Sequence, residues 1–334
     1  MNNKIANKIL YIFKSYMLMI GLIAIIIVSS IIEPKFITLA NLMNILRQST
    51  VIGICSLGIT FVMISGGIDL SLGSIVSICS VVSILIMNRL TGNSMLSEDV
   101  ISMIAIIVVI ATGFIAGLIN GLIISSIRGK MGQAFVITYA SQIIFGAVAF
   151  VIVAGAFQTG SFSDESIYAK IGTGNSPIII FLAILIALNI LLTKTSFGRT
   201  IYFFGANMDA ARFSGLKTKR AQALTYAICG ACAAIGAIIV TSRVASASAT
   251  QGEGYQLNAI AAAVVGGISM DGGQGNLINT FLGILVIAVL GNALNVMGVN
   301  SYFQLIISGA IILIAVFLDR QRTLSTEGGK TNAA

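Results

Sequence analysis

The chain has 334 residues, 57% of them hydrophobic and 9% charged, with a mean hydropathy of +1.02 and a formal net charge of +8. Soluble domains carry about 25% charged residues, so an ordinary soluble fold is excluded. With no His and no Trp, the usual imidazole metal ligand and general base are missing as well.

An apolar helix crosses the ~30 Å hydrocarbon core with roughly 20 residues, so the uncharged intervals of the sequence measure out its spans. In chain order, 15–32 makes the first span, and 48–88 follows with Asp69 as its single charge. As one helix that second stretch would be about 60 Å long, so it must fold back on itself. One span each is expected in 100–127, 131–163, 171–193 and 221–242, a short Ala/Gly-rich one in 254–270, and two in 272–318. The sum is an all-α, polytopic membrane protein of about ten transmembrane helices. The first segment reads as an uncleaved span, since no small-x-small cleavage site precedes Pro34.

With a cytoplasmic N-terminus, alternation puts 14 of the 19 Lys and Arg residues on the cytoplasmic side and five, Lys35, Arg47, Arg89, Lys170 and Arg243, outside. That satisfies the positive-inside rule and places both termini in the cytoplasm. The basic residues stand between apolar runs, not on one face of a soluble domain, so no nucleic-acid partner is expected. Residues 1–322 form one membrane domain with a polar cytoplasmic loop at about 194–220, and the Ser/Thr/Gly-rich 323–334 is expected to be a disordered tail.

Several motif fragments carry no chemistry. Gly329-Lys330-Thr331 has the end of a phosphate loop, but Leu324 stands where its first Gly belongs. Cys229 and Cys232 have redox spacing inside an apolar run and lack partner ligands, so they read as small packing residues. Asp271-Gly-Gly-Gln274 reads as a glycine-rich turn. No metal, cofactor or catalytic residue is expected.

Asp69 is different. A carboxylate in a membrane segment costs about 2.5 to 3.5 kcal/mol on insertion scales. It follows Gly66 and Gly67 and precedes Ser71 and Gly73, a pattern that permits broken-helix geometry. Asp69 and Ser71 are suited to capping the next helix, and irregular backbone at membrane depth survives only where protein buries it or water fills the gap. In the polar loop, Gly205, Asn207, Asp209, Ala210, Ala211, Arg212, Ser214 and Gly215 describe a short capped amphipathic helix ended by glycine. It is suited to lipid phosphates or to docking a cytoplasmic partner. Gly113, Gly117 and Gly121 have small-xxx-small spacing for close helix packing. Thr138, Tyr139 and Gln142, together with Asn292, Asn295 and Gln304, are the polar residues best placed either to bridge helices or to line a route.

The runs Asn44-Ile-Leu-Arg-Gln48, Gly58-Ile-Thr60-Phe-Val62, Gly66-Gly-Ile-Asp-Leu-Ser-Leu-Gly-Ser74, Gly205 to Gly215, Ala261 to Ser269, Gly272-Gly-Gln-Gly275 and Asn295 to Tyr302 occur in a fixed order. Together they resemble the permease subunits of bacterial ABC importers for ribose and related monosaccharides, over about residues 36–322. The resemblance implies a type II ABC importer-like permease fold in the bacterial cytoplasmic membrane. It further implies pairing with a second permease subunit, separate ATPase subunits that push on the 205–215 segment, and an extracytoplasmic sugar-binding protein. Around Gln133 to Ala140 the family usually has Pro before the Phe and Leu-Gly after the Thr, where this chain has Ala134 and Tyr139-Ala140. A nucleoside permease of related architecture and a passive channel for small polar solutes are the alternatives. The scarcity of charge at membrane depth suits a neutral solute.

Overall fold

The computed structural model describes residues 19–91, 96–127, 129 and 131–300, with scattered helical positions between 302 and 317. The N-terminal lysines, Arg128, Lys130, the tail and the Gly329-Lys330-Thr331 fragment lie outside the described residues. Among the described residues, seven helices are long and apolar enough to cross a membrane. They are α2 (Leu39–Ile64), α3 (Leu72–Leu90), α4 (Glu98–Ser126), α5 (Met131–Val153), α7 (Ser176–Lys194), α10 (Thr218–Val244) and α12 (Leu277–Val296). Shorter helices are α1 (Met19–Ile32), α6 (Ile167–Gly172), α8 (Ser196–Ala206), α9 (Met208–Phe213) and α11 (Tyr255–Val265). The interval 48–88 does fold back, between Ile64 and Leu72, and the interval 272–318 turns at Gly298, where φ is +72°.

The sequence sorts these helices into core and wall. The spanning windows of α2 and α10 are each 78% buried, whereas those of α5 and α7 are 22% buried, so the first two form the centre and the latter two the outer wall. Small residues make the centre compact. An added Cβ at Gly113 would lie 2.7 Å from Ala234 Cβ, one at Gly121 would lie 2.7 Å from Ala223 Cα, and one at Gly117 would strike the Tyr226 carbonyl. The 113–121 glycine run is therefore a helix-packing seam between α4 and α10.

One end of the molecule carries the 154–176 connection. There β1 (Gln158–Thr159) pairs antiparallel with β2 (Ser246–Ala247), with Gln158 opposite Ala247. Buried Tyr168 of α6 is tied by hydroxyl contacts to Ser83 of α3 and to Thr241 of α10, the latter at 2.6 Å. The opposite end carries α8, α9 and the turn between α11 and α12.

α11 has 11 residues, about 16 Å of helix, half the membrane core. The segment expected to span at 254–270 is thus a half-helix. It starts after Gly254, where φ is +81°, and ends at Gly266. The chain leading into it is irregular but held inside the protein: buried Gly252 donates its N–H to Ser77 Oγ at 2.9 Å, which is where non-helical backbone is tolerated.

Candidate functional site

The break between α2 and α3 is built around Asp69. Gly66 (φ +77°) ends α2, and an added Cβ at Gly67 would strike the Tyr226 hydroxyl. Asp69 and Ser71 are fully buried. Asp69 Oδ1 accepts from Ser71 N at 2.9 Å and from Ser71 Oγ at 2.6 Å. Ser71 stands at the N-cap of α3 but makes no side-chain cap bond, because its hydroxyl is given to Asp69. The expected cap is therefore a local carboxylate turn placed just ahead of the helix. Asp69 Oδ2 has no hydrogen-bond partner among the described residues, and its electrostatic neighbours are Cys229 and Tyr226.

From Ser71 the network runs into the neighbouring helices. Asn120 Nδ2 of α4 donates to Ser71 Oγ at 2.8 Å, and Ser141 Oγ of α5 donates to Asn120 Oδ1 at 2.6 Å. Thr138 Oγ1 accepts from Leu70 N at 3.1 Å, and Tyr226 OH donates to the Ile68 carbonyl at 3.2 Å. α4 contributes Asn120, α5 contributes Thr138 and Ser141, and α10 contributes Tyr226, a polar network that makes a carboxylate tenable there. Gly73 follows at the start of α3, where an added Cβ would strike the Gln256 side chain.

The polar loop forms two helices. α8 is capped by Thr195, whose hydroxyl accepts from Gly198 N at 3.2 Å. Asn207 ends α8 and caps α9, with Oδ1 accepting from Ala210 N at 2.9 Å. α9 closes at Ser214 and Gly215 (φ +77°). Ala211 is buried, while Asp209, Ala210, Arg212, Phe213 and Ser214 face outward. Where α8 meets α9, three chain segments touch without side chains. A Cβ on Gly205 would overlap the Ile64 carbonyl, and one on Gly272 would lie 2.7 Å from Gly66 Cα and 2.9 Å from Gly205 O. Gly273 N donates to Ile64 O at 2.8 Å. Tyr202 OH of α8 donates to the Gly275 carbonyl at 2.7 Å, and burial pushes its phenol above the ordinary range, so it donates as the neutral hydroxyl. The glycines of the Asp271 to Gly275 turn serve this joint. A polar cavity of about 390 Å³, bordered by Ser65, Asn207, Asp209 and Asp271, lies beside it.

The six polar residues picked as route candidates are not brought together. Thr138 belongs to the Asp69 network, whereas Tyr139 is 50% exposed and stacks on Phe135. Gln142 is half-buried on the same helix, and Asn295 is exposed at the end of α12. Asn292 and Gln304 border a second cavity, of about 210 Å³, between α2, α11 and α12. Gln48, Ser49 and Asn258 line it too; nothing in the local sequence brings residues of α2 and α11 to one cavity. Cys229 and Cys232 are buried with Cys55 against Gly58, as packing residues, and no group of metal-ligating side chains occurs among the described residues.

The described residues thus combine a core of long membrane helices, a helix break holding a buried carboxylate, and a glycine joint to a capped surface helix. The chain belongs to the family described as "Branched-chain amino acid transport system / permease component", which it matches over residues 41–316. It is a multi-pass protein of the bacterial inner membrane and a transport subunit, not an enzyme. In particular, it is 38% identical over 309 residues to the ribose import permease protein RbsC of Bacillus subtilis, covering 91% of this chain and 92% of that one. It is 34% identical over 310 residues to RbsC of Escherichia coli K12, covering 91% and 93%. With the galactose/methyl galactoside import permease protein MglC of the same strain it shares 33% identity over 314 residues, covering 91% and 92%. No solved structure matches the chain.

Proposed function

We propose that this chain is the membrane subunit of an ATP-binding-cassette importer that admits a monosaccharide. Two copies, or one copy and a related subunit, enclose the route. Separate ATPase subunits dock on α9 from the cytoplasm, where both termini also lie, and an extracytoplasmic binding protein delivers the sugar. The observation that carries the coupling role is the joint at Gly66, Gly205 and Gly272. A push on α8 and α9 there meets the end of α2 and the turn between α11 and α12 as backbone on backbone. Asp209 and Arg212, outward on α9, are the polar contacts offered to the ATPase. The turn at Gly66, Gly67, Asp69, Ser71 and Gly73 positions α3 against α4 and α5 rather than touching solute.

The relatives named for ribose and galactose import support a sugar as the cargo. The test is reconstitution of the chain with its ATPase and binding protein in liposomes, followed by uptake of labelled ribose and galactose. ATP-dependent sugar uptake is expected. Uptake by the chain alone without ATP would establish a passive facilitator instead, and transport of nucleosides but not sugars would establish the sibling substrate class.

A further inference from the structure

The cavity between α2, α11 and α12 has a definite chemistry. Its walls combine the amides of Gln48, Asn258, Asn292 and Gln304 with the aliphatic side chains of Ile45 and Ile284, and among the described residues no charged one lines it. Its volume of about 210 Å³ is several times the roughly 30 Å³ share of one liquid water. Two polar pairs between α2 and α12 bracket it. On the side away from α8 and α9, Asn41 and Asn292 exchange amide bonds at 2.8 and 3.1 Å. Toward α8 and α9, buried Thr60 and Thr280 share a hydrogen bond at 2.9 Å, about 12 Å further along α2 than Ile52 of the cavity wall.

The hydrogen-bonding capacity left over is specific. Gln48 gives one Nε2 hydrogen to Asn44 Oδ1 at 3.1 Å, and Gln304 gives one to the Val299 carbonyl at 2.8 Å, so among the described residues each keeps Oε1 as an acceptor and a second N–H as a donor. Asn258 makes no side-chain hydrogen bond among the described residues and keeps donors and acceptor alike. Hydroxyl groups, which donate once and accept, complement that set, and ring C–H groups suit the isoleucines. A carboxylate or an amine would enter unpaired, at the cost of a desolvated charge.

We propose that this cavity is a binding station for a neutral polyhydroxylated solute the size of one sugar ring, held by Gln48, Asn258 and Gln304 between the Asn41–Asn292 and Thr60–Thr280 pairs. The proposal rests on the importer reading above and adds where the solute pauses and what holds it. The station is weak by construction, because three leftover amide groups hold a solute that must leave again.

The test uses the complete complex in liposomes with labelled D-ribose. Asn258→Leu and Gln48→Leu should each lower ATP-dependent uptake at least tenfold while the subunits still co-purify and ATP is still hydrolysed, and Asn258→Ser should recover most of the loss. Wild-type uptake in both leucine variants would overturn the station and leave the importer reading intact, whereas a wild-type complex that moves no monosaccharide would overturn that reading. A second measurement does not depend on turnover. In Asn258→Cys, modification by a small polar thiol reagent should slow several-fold when D-ribose is added in large excess without binding protein. An unchanged rate would refute occupancy of the cavity.

Discussion

Gly117→Ala and Gly146→Ala are the same substitution in the interiors of two adjacent membrane helices, and the structure gives them opposite signs. Alanine is preferred over glycine in a helix by about 1 kcal/mol, so both variants begin with that gain. On α5, nothing lies within 4 Å of a Cβ added at Gly146, and the gain stands, for a stabilisation of about 0.5 to 1 kcal/mol. On α4, the new methyl at Gly117 would strike the Tyr226 carbonyl oxygen and lie 2.9 Å from its carbon and 3.1 Å from Gly230 N. None of these is a flexible side-chain tip; all are backbone of α10. The helices must separate along a seam that Gly113 and Gly121 also keep tight, and overpacking of this kind costs about 1 to 3 kcal/mol. Because the obstacle is rigid backbone, the upper part of that range, about 2 to 3 kcal/mol, applies; less the helix gain of about 1 kcal/mol, the net loss at Gly117 is about 1 to 2 kcal/mol, and the two variants should differ by about 2 to 3 kcal/mol. Thermal unfolding of the purified protein in one detergent should move the midpoint down for Gly117→Ala and up for Gly146→Ala. Shifts of the same sign would refute the reasoning.

Three further outcomes are expected. In a double-mutant cycle of Asn120→Ala with Ser141→Ala, the coupling energy should be about 0.6 kcal/mol, the average for interhelical bonds in membranes, and at most about 1.7 kcal/mol; a value near zero would mean that the Asp69 network does not join α4 to α5. Because Asp209 and Arg212 are exposed, replacing both by Ala should change stability by no more than about 0.5 kcal/mol yet uncouple ATP hydrolysis from uptake. Fully coupled transport in that variant would rule out docking at α9. Tyr202→Phe should cost about 1 kcal/mol in thermal stability, since the Gly275 carbonyl loses its donor, and an unchanged midpoint would show that bond to be idle.

The sequence made some of this legible through single residues whose presence demands an explanation. Asp69 is the one charge in a 41-residue interval, so a break and a polar environment had to exist there, and both do. Asn207 and Gly215 bracket a helix by cap chemistry that acts within one turn, and α9 begins and ends accordingly. The half-helix α11 was less plain, although Gly252 and Gly254 are the residues that let irregular backbone enter it. What stayed hidden depends on which face of a helix meets which neighbour. Thr138 and Tyr139 are adjacent in sequence, yet one is buried in the Asp69 network and the other looks outward, because consecutive helix positions point about 100° apart. Asn41 pairs with Asn292 across 251 positions, and Gln48 and Asn258 border one cavity only because α2 and α11 converge on α12. No local pattern encodes such meetings.

The joint of Gly66, Gly205 and Gly272 has a mechanical consequence. Side chains absorb displacement by hopping between rotamers, each hop taking up an ångström or more without moving the backbone behind it. A contact between peptide planes has no such slack. Whatever moves α8 meets a coupling without play, and the compliance of this subunit must lie elsewhere, in the irregular run before α11.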